Sequence, residues 1–169
     1  MPIAVYPGSF DPITLGHIDI IRRIQKMFGE VTVVISQSPR KSYLFSADER
    51  KALVMASLKD HSGKSLKGVT VDVYDGLTVD YVKKVGARVI IRGLRAVTDF
   101  EYEFVMANMN RKLAPNIETM IVFASPEFYY ISSSTLKEVA IHGGSVKDMV
   151  PPAVNEALKD KFKSKKKAK

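Results

Sequence analysis

Ile3-Ala4-Val5-Tyr6-Pro7-Gly8-Ser9-Phe10-Asp11-Pro12-Ile13-Thr14-Leu15-Gly16-His17 opens as a short apolar run, breaks between Pro7 and Pro12, and resumes at Thr14 with helical spacing. It reads as strand, tight loop, helix. A loop bounded by two prolines and relieved by Gly8 holds its backbone close to whatever lies above it, and the helix that follows aims free N–H groups at the same place. With Thr14 as N-cap, His17 falls in the first helical turn. An imidazole and the positive end of a helix dipole then converge on one phosphate-sized site, which points to anion binding and phosphate chemistry.

Outward from this stretch, apolar strand-like runs recur at residues 3–6, 31–35, 69–74, 89–91 and 119–123. Helical patterns fill the intervals. Ile18, Ile21, Ile24 and Phe28 recur at spacings of three and four before Gly29, a C-cap signal, and Ser46-Ala47-Asp48-Glu49 is a capping-box sequence opening a helix through Leu58. Further helices are expected over 79–85, 99–113, 133–141 and 152–162. Several strands are apolar on both faces, as in a parallel sheet covered on both sides, so the expected fold is doubly wound α/β: a Rossmann-like five-stranded parallel sheet with helices on both faces. Such a sheet binds ligands at the carboxyl ends of its strands. Residues 7–17, 38–42, 75–78, 92–95 and 125–134 each follow a strand, so one cleft gathers them all.

The 169 residues suit one domain, taken as 1–162, followed by a lysine-rich tail over 163–169 expected to be disordered. With no cysteine, disulfides, thiolate catalysis and cysteine-ligated zinc are excluded, and His17, His61 and His142 are too scattered to suggest a metal site. Met1-Pro2 leads directly into a strand and no apolar run approaches the roughly 20 residues of a membrane helix, which predicts a cytoplasmic protein with no membrane partner. The net charge of +8 resembles a nucleic-acid signal until it is located: seven lysines between 159 and 169 face only Asp160, leaving +2 for the body. A nucleic-acid module would instead interleave aromatic and basic residues across the body, so no nucleic-acid partner is expected.

Singly, Arg92-Gly93-Leu94-Arg95 reads as a surface turn, Ser132-Ser133-Ser134 as an N-cap run and Ser38-Pro39-Arg40-Lys41 as a loop. Their joint position after strands favours a phosphate site. Arginine grips phosphate oxygens in pairs, Lys41 adds a mobile charge, and serines at a helix start offer hydroxyls and amides. The first loop lacks the glycine triplet of a dinucleotide fingerprint, and no glycine-bounded loop ends in Lys-Ser or Lys-Thr. No Ser-His-Asp or paired-carboxylate arrangement appears either.

Residues 6–17, together with Ile-Arg-Gly-Leu-Arg-Ala-Val-Thr-Asp-Phe-Glu-Tyr-Glu (91–103) and Ile-Ser-Ser-Ser-Thr-Leu-Lys-Glu-Val (131–139), resemble the three motif blocks of the bacterial phosphopantetheine adenylyltransferases, a family of the nucleotidylyltransferase superfamily. The likeness runs from about residue 2 to 160 in order, leaving the lysine tail outside it. It implies transfer of AMP from ATP to 4′-phosphopantetheine, giving dephospho-coenzyme A and pyrophosphate. Mg²⁺ would be held mainly by the ATP phosphates, with no dedicated protein metal site, and the assembly would be a homohexamer.

By motif position, His17, Lys41 and Arg92 would be catalytic. Ser9, Phe10, His17, Gly93, Leu94, Arg95, Glu103, Phe128, Tyr129, Tyr130, Ile131, Ser132, Ser133 and Ser134 would meet ATP, and Ser9, Lys41, Thr78 and Arg92 would hold phosphopantetheine. Thr14 replaces the first histidine of the superfamily signature, as is usual for this enzyme, so His17 is the only catalytic imidazole. Phe128 stands where Trp or Tyr is frequent, so no side-chain hydrogen bond is carried over to it. A phosphate monoester is already anionic, so no base is required and cationic groups, His17 among them, are expected to carry the chemistry. The nearest rivals are nucleotidylyltransferases acting on nicotinate mononucleotide or glycerol phosphate, against which residues 91–103 argue.

Overall fold

The computed structural model describes residues 3–59 and 63–167, with side chains as far as Lys163. His61, Ala168 and Lys169 lie outside the described residues. The chain alternates strand and helix: β1 (Ala4–Gly8), α1 (Leu15–Phe28), β2 (Val31–Ser36), α2 (Ala47–Ser57), β3 (Val69–Tyr74), α3 (Thr78–Lys84), β4 (Val89–Leu94), α4 (Val97–Leu113), β5 (Glu118–Phe123), α5 (Ser133–Ile141) and α6 (Pro152–Lys167), with a short 3₁₀ turn at Pro126–Phe128. The five strands are parallel in the order β3-β2-β1-β4-β5. The chain therefore reverses its direction of travel across the sheet between β1 and β4, where such folds place their ligand.

Strand alternation divides the core. Ala4, Tyr6, Val31, Val33, Ile35 and Ile91 pack under α1, α2, α5 and α6, while Val5, Val34 and Ile90 face Val79, Tyr81 and Val82 of α3. The expected caps form: the Thr14 side chain accepts from the His17 amide, the Ser46 side chain from the Glu49 amide, and Gly29 ends α1 at φ 76°. The left-handed backbone at Gly29 is the conformation glycine supplies at helix ends.

Three expectations change. β1 continues through Pro7 to Gly8, because Pro7 pairs in register with Val34 of β2 after the ladder to β4 has ended at Val5↔Ile90. A missing N–H is tolerated where the ladder has stopped on one side. β4 likewise runs through Arg92 and Gly93 to Leu94, so those residues lie on the strand rather than after it. Finally, α6 extends to Lys167, beyond the expected end at Phe162, so backbone assigned to a disordered tail is helical over 163–167. Val154, Leu158 and Phe162 dock its first turns in the core, and adding lysines to an existing helix costs little.

Candidate active site

The site begins where β1 and β4 part. Arg92 spans the gap from β4, its Nη1 donating to the Pro7 carbonyl at 3.0 Å. Its Nε and Nη2 both donate to Glu103 of α4 at 2.6 Å. Burial works against the guanidinium charge, but the hydrogen bonds and charge of Glu103 outweigh it and hold Arg92 above its ordinary range. The cation is locked in place before any ligand arrives.

Capping orients His17. Its Nδ1 accepts from the Thr14 amide at 3.1 Å and lies 3.0 Å from Thr14 Oγ1, while its own amide donates back to Oγ1 at 3.3 Å. A ring nitrogen that accepts from an amide carries no proton, so the neutral ring bears its hydrogen on Nε2. Burial, reinforced by the Arg95 charge, lowers the ring's titration from 6.5 to about 4. His17 is therefore a neutral N–H donor at physiological pH, which corrects the expectation of a positive charge there. What it offers a phosphate is a directed donor.

Phe10 holds the other side of the ring, edge-on to His17 with centroids 5.1 Å apart and to Tyr6 at 5.5 Å. Its φ of 45° is the one left-handed non-glycine conformation among the described residues. Such a backbone costs about 1–3 kcal/mol and persists only where its surroundings enforce it. The loop is thus not relieved by a flexible Gly8. Gly8 is needed for space, since a Cβ there would lie 2.9 Å from the Phe10 ring.

Across the cleft, Arg95 Nε donates to Asp99 at 3.2 Å and Nη1 donates to the Ile131 carbonyl at 3.2 Å, tying β4 to the segment before α5. Ser132 caps α5 by accepting from the Thr135 amide, and the Ser133 hydroxyl donates to Pro12 at 2.8 Å. The N-termini of α1 and α5 consequently border one cavity of about 320 Å³. Its walls include Ser9, Phe10, His17, Lys41, Arg92, Gly93, Arg95, Glu103 and Ser132 to Ser134. A second cavity of about 210 Å³ adjoins it, with Ser36, Ser38, Tyr43, Thr78, Tyr102, Met106 and Asn110 in its lining. Pro7, Gly8, Ser9, Lys41 and Arg92 belong to both.

Most residues picked from the sequence therefore converge, but five stand differently. Leu94 is buried and lines neither cavity, Phe128 packs over Gly16, and the Tyr129 and Tyr130 side chains are exposed. Ile131 contributes its carbonyl and the wall of a small recess behind His17. The sequence reading did not single out Asp11 or Arg50. Buried Asp11 accepts from the amides of Leu44 and Phe45 at 2.9 Å each and from Lys137 Nζ at 2.7 Å. An acid between two prolines was the available signal.

Two helix N-termini, a directed imidazole and fixed arginines at a parallel sheet's switch point make an α/β domain with a cleft built for a nucleotide's phosphates. The cytidylyltransferase-like family model matches residues 5–139. A phosphopantetheine adenylyltransferase from Bdellovibrio bacteriovorus is 60% identical over 161 residues, covering 95% of this chain and 98% of that protein. Another, from Thermotoga neapolitana, is 52% identical over 161 residues, covering 95% and 97%. A structure named as a nicotinate-nucleotide adenylyltransferase from Vibrio parahaemolyticus is similar in fold, with TM-score 0.66 and 22% identity over 92% of this chain and 97% of that one. The chain belongs to the phosphopantetheine adenylyltransferase family.

Proposed function

We infer that the protein transfers an adenylyl group from ATP to 4′-phosphopantetheine, giving dephospho-coenzyme A and pyrophosphate in coenzyme A biosynthesis. The observation that carries this reading is the pair of adjoining cavities whose common wall is Pro7 to Ser9 with Lys41 and Arg92. Two phosphorylated substrates in separate pockets meet at such a wall. ATP takes the cavity between the two helix N-termini, and the acceptor takes the one lined by Thr78, Tyr102 and Met106.

An oxygen of the acceptor's phosphate attacks the α-phosphorus while the bond to pyrophosphate breaks. The nucleophile is already an anion, so the chain supplies alignment and electrostatic stabilisation, not a base. His17 Nε2–H donates to phosphate oxygens that gain charge, and Lys41 and Arg92 draw in the acceptor's phosphate.

Among the described residues no cluster of three acidic or histidine side chains suits a metal, and the lining carboxylates Asp99 and Glu103 are engaged by arginines. That donor set would suit an ion carried in on the triphosphate and held mainly by the phosphate oxygens. Mg²⁺ there would neutralise charge on the departing pyrophosphate.

The reading includes a cytoplasmic location, consistent with the absence of cysteine, and assembly into a hexamer. No helix of the described residues is long and apolar enough to cross a membrane. Assembly is supported by α4, whose two buried side chains, Glu103 and Asn110, are polar while Phe100, Phe104, Val105 and Met109 are exposed. A helix with its apolar face outward calls for a protein neighbour. The test of function is incubation with ATP, Mg²⁺ and 4′-phosphopantetheine while pyrophosphate is followed, with nicotinate mononucleotide as the control acceptor. Phosphopantetheine-dependent release is expected; equal use of both acceptors would overturn the assignment.

A further inference from the structure

Arg50 is the largest of the side chains fully removed from solvent, 1% exposed, and the chemistry above makes no use of it. It sits one turn into α2. A buried guanidinium normally faces a carboxylate. Here its partners are main-chain carbonyls and an aromatic face. Nη1 donates to the Ser9 carbonyl at 2.7 Å and to the Ser36 carbonyl at 3.1 Å, and Nε donates to Ser46 at 3.4 Å. The guanidinium carbon lies 4.1 Å from the centre of the Tyr43 ring, and the Tyr43 hydroxyl accepts from the Ser38 amide at 2.8 Å.

These partners are walls of the two cavities. Ser9 belongs to the shared wall, and Ser36, Ser38 and Tyr43 line the second cavity. The β1–β2 ladder ends at Gly8↔Ile35, so one residue later the two chains have no ladder between them. Nη1 bridges them at that point. We propose that Arg50 is a positioning residue for the transfer, clamping the strained Ser9-Phe10 turn to the end of β2 and to the loop that carries Lys41. The proposal rests on the adenylyl-transfer reading and deepens it: the spacing of the two anion sites is set from beneath by one buried cation. A cation on the Ser9 carbonyl also polarises the peptide that presents the Phe10 amide.

Asp11 separately tethers the neighbouring backbone through Leu44 and Phe45, so the fold has a second staple when Arg50 is changed. Arg50→Met and Arg50→Lys are compared with wild type by steady-state kinetics and by amide hydrogen exchange. Because displacing an anion cradle acts on alignment, turnover should fall about 10- to 100-fold in Arg50→Met. KM for each substrate should stay within about threefold of wild type. Arg50→Lys should not restore turnover, since a single ammonium has no planar face to stack on Tyr43 and no second nitrogen to hold the Ser46 carbonyl while the first spans Ser9 and Ser36. Exchange should rise in peptides covering 7–12 and 36–43 and stay unchanged in α1 and β5.

Adding Ser9→Ala to Arg50→Met should cost less than the product of the two single losses, because both act through one turn. Full turnover in Arg50→Met, full rescue by lysine, or exchange that rises throughout the chain would each overturn the clamp. Exchange is read without substrates, so a wild-type protein that fails to make pyrophosphate would refute the function and still leave the clamp decided.

Discussion

His17 carries two roles in one geometry, since the nitrogen that caps α1 also fixes which nitrogen is left to donate. The Thr14 amide on Nδ1 assigns the proton to Nε2, and burial beside Arg95 keeps the ring uncharged down to about pH 4. Nitrogen-detected NMR of the imidazole should show the Nε2–H tautomer at neutral pH and a midpoint near 4; a midpoint near 6.5 would contradict this environment. The sign for stability follows. Between 6.5 and 4 the unfolded chain takes up a proton that the folded ring refuses, so His17 makes stability decline as pH falls through that window. His17→Ala should lower turnover about 10²- to 10³-fold, the usual loss for one preorganised donor, while ATP affinity by calorimetry changes little.

Lys41 and Arg92 were paired in the sequence reading, yet they differ physically. Lys41 is exposed at the shared wall, whereas Arg92 neutralises the buried Glu103. Lys41→Met should reduce kcat/KM for phosphopantetheine about 10- to 150-fold through one lost charge-assisted contact, with the melting temperature unchanged. Arg92→Ala should lose activity and melting temperature together, because breaking a buried ion pair strands a charge. A normal melting curve for Arg92→Ala would show that Glu103 is not dependent on it.

At the scale of elements, the parts with strong local causes were legible. Thr14 and Ser46 announced their helices because a cap is a side-chain hydrogen bond to an amide three residues on. The five strands and the cleft at their carboxyl ends followed from short apolar runs, several apolar on both faces, and from residue placement. What was not legible depended on partners distant in sequence. Pro7 is admitted to β1 only because β4 diverges, Phe10 is held left-handed by Tyr6 and His17, and Arg50 reaches carbonyls 41 and 14 residues away.

The backbone of α6 runs past the expected end at Phe162 to Lys167, while its docking lies where the pattern put it: Leu158 and Phe162 pack in the core and Lys161 pairs with Glu49 of α2 at 2.8 Å. Phe162→Ala should therefore cost about 3 kcal/mol or somewhat less, the lower end for a buried Phe at a site able to relax. For a chain of this size that is a fall in melting temperature of about 6–12 °C. No change on melting would mean that this turn does not dock.

At the scale of the whole molecule, α4 links the site to its surroundings. Glu103 and Asn110 point inward, Tyr102 and Met106 border the second cavity, and the outward face is apolar. Val105→Glu combined with Met109→Glu should yield a smaller species by analytical ultracentrifugation and raise KM for the acceptor. A wild-type protein that sediments as a monomer would contradict the assembly. The reaction turns on one bond: an oxygen of the acceptor's own phosphate joins the α-phosphorus of ATP as the bond to pyrophosphate breaks. Phosphopantetheine labelled with ¹⁸O in its phosphate, taken through a single turnover and analysed by mass spectrometry, tests it most directly. All of the label should appear in dephospho-coenzyme A beside unlabelled pyrophosphate, and labelled pyrophosphate, or ADP in its place, would rule out this direction of attack.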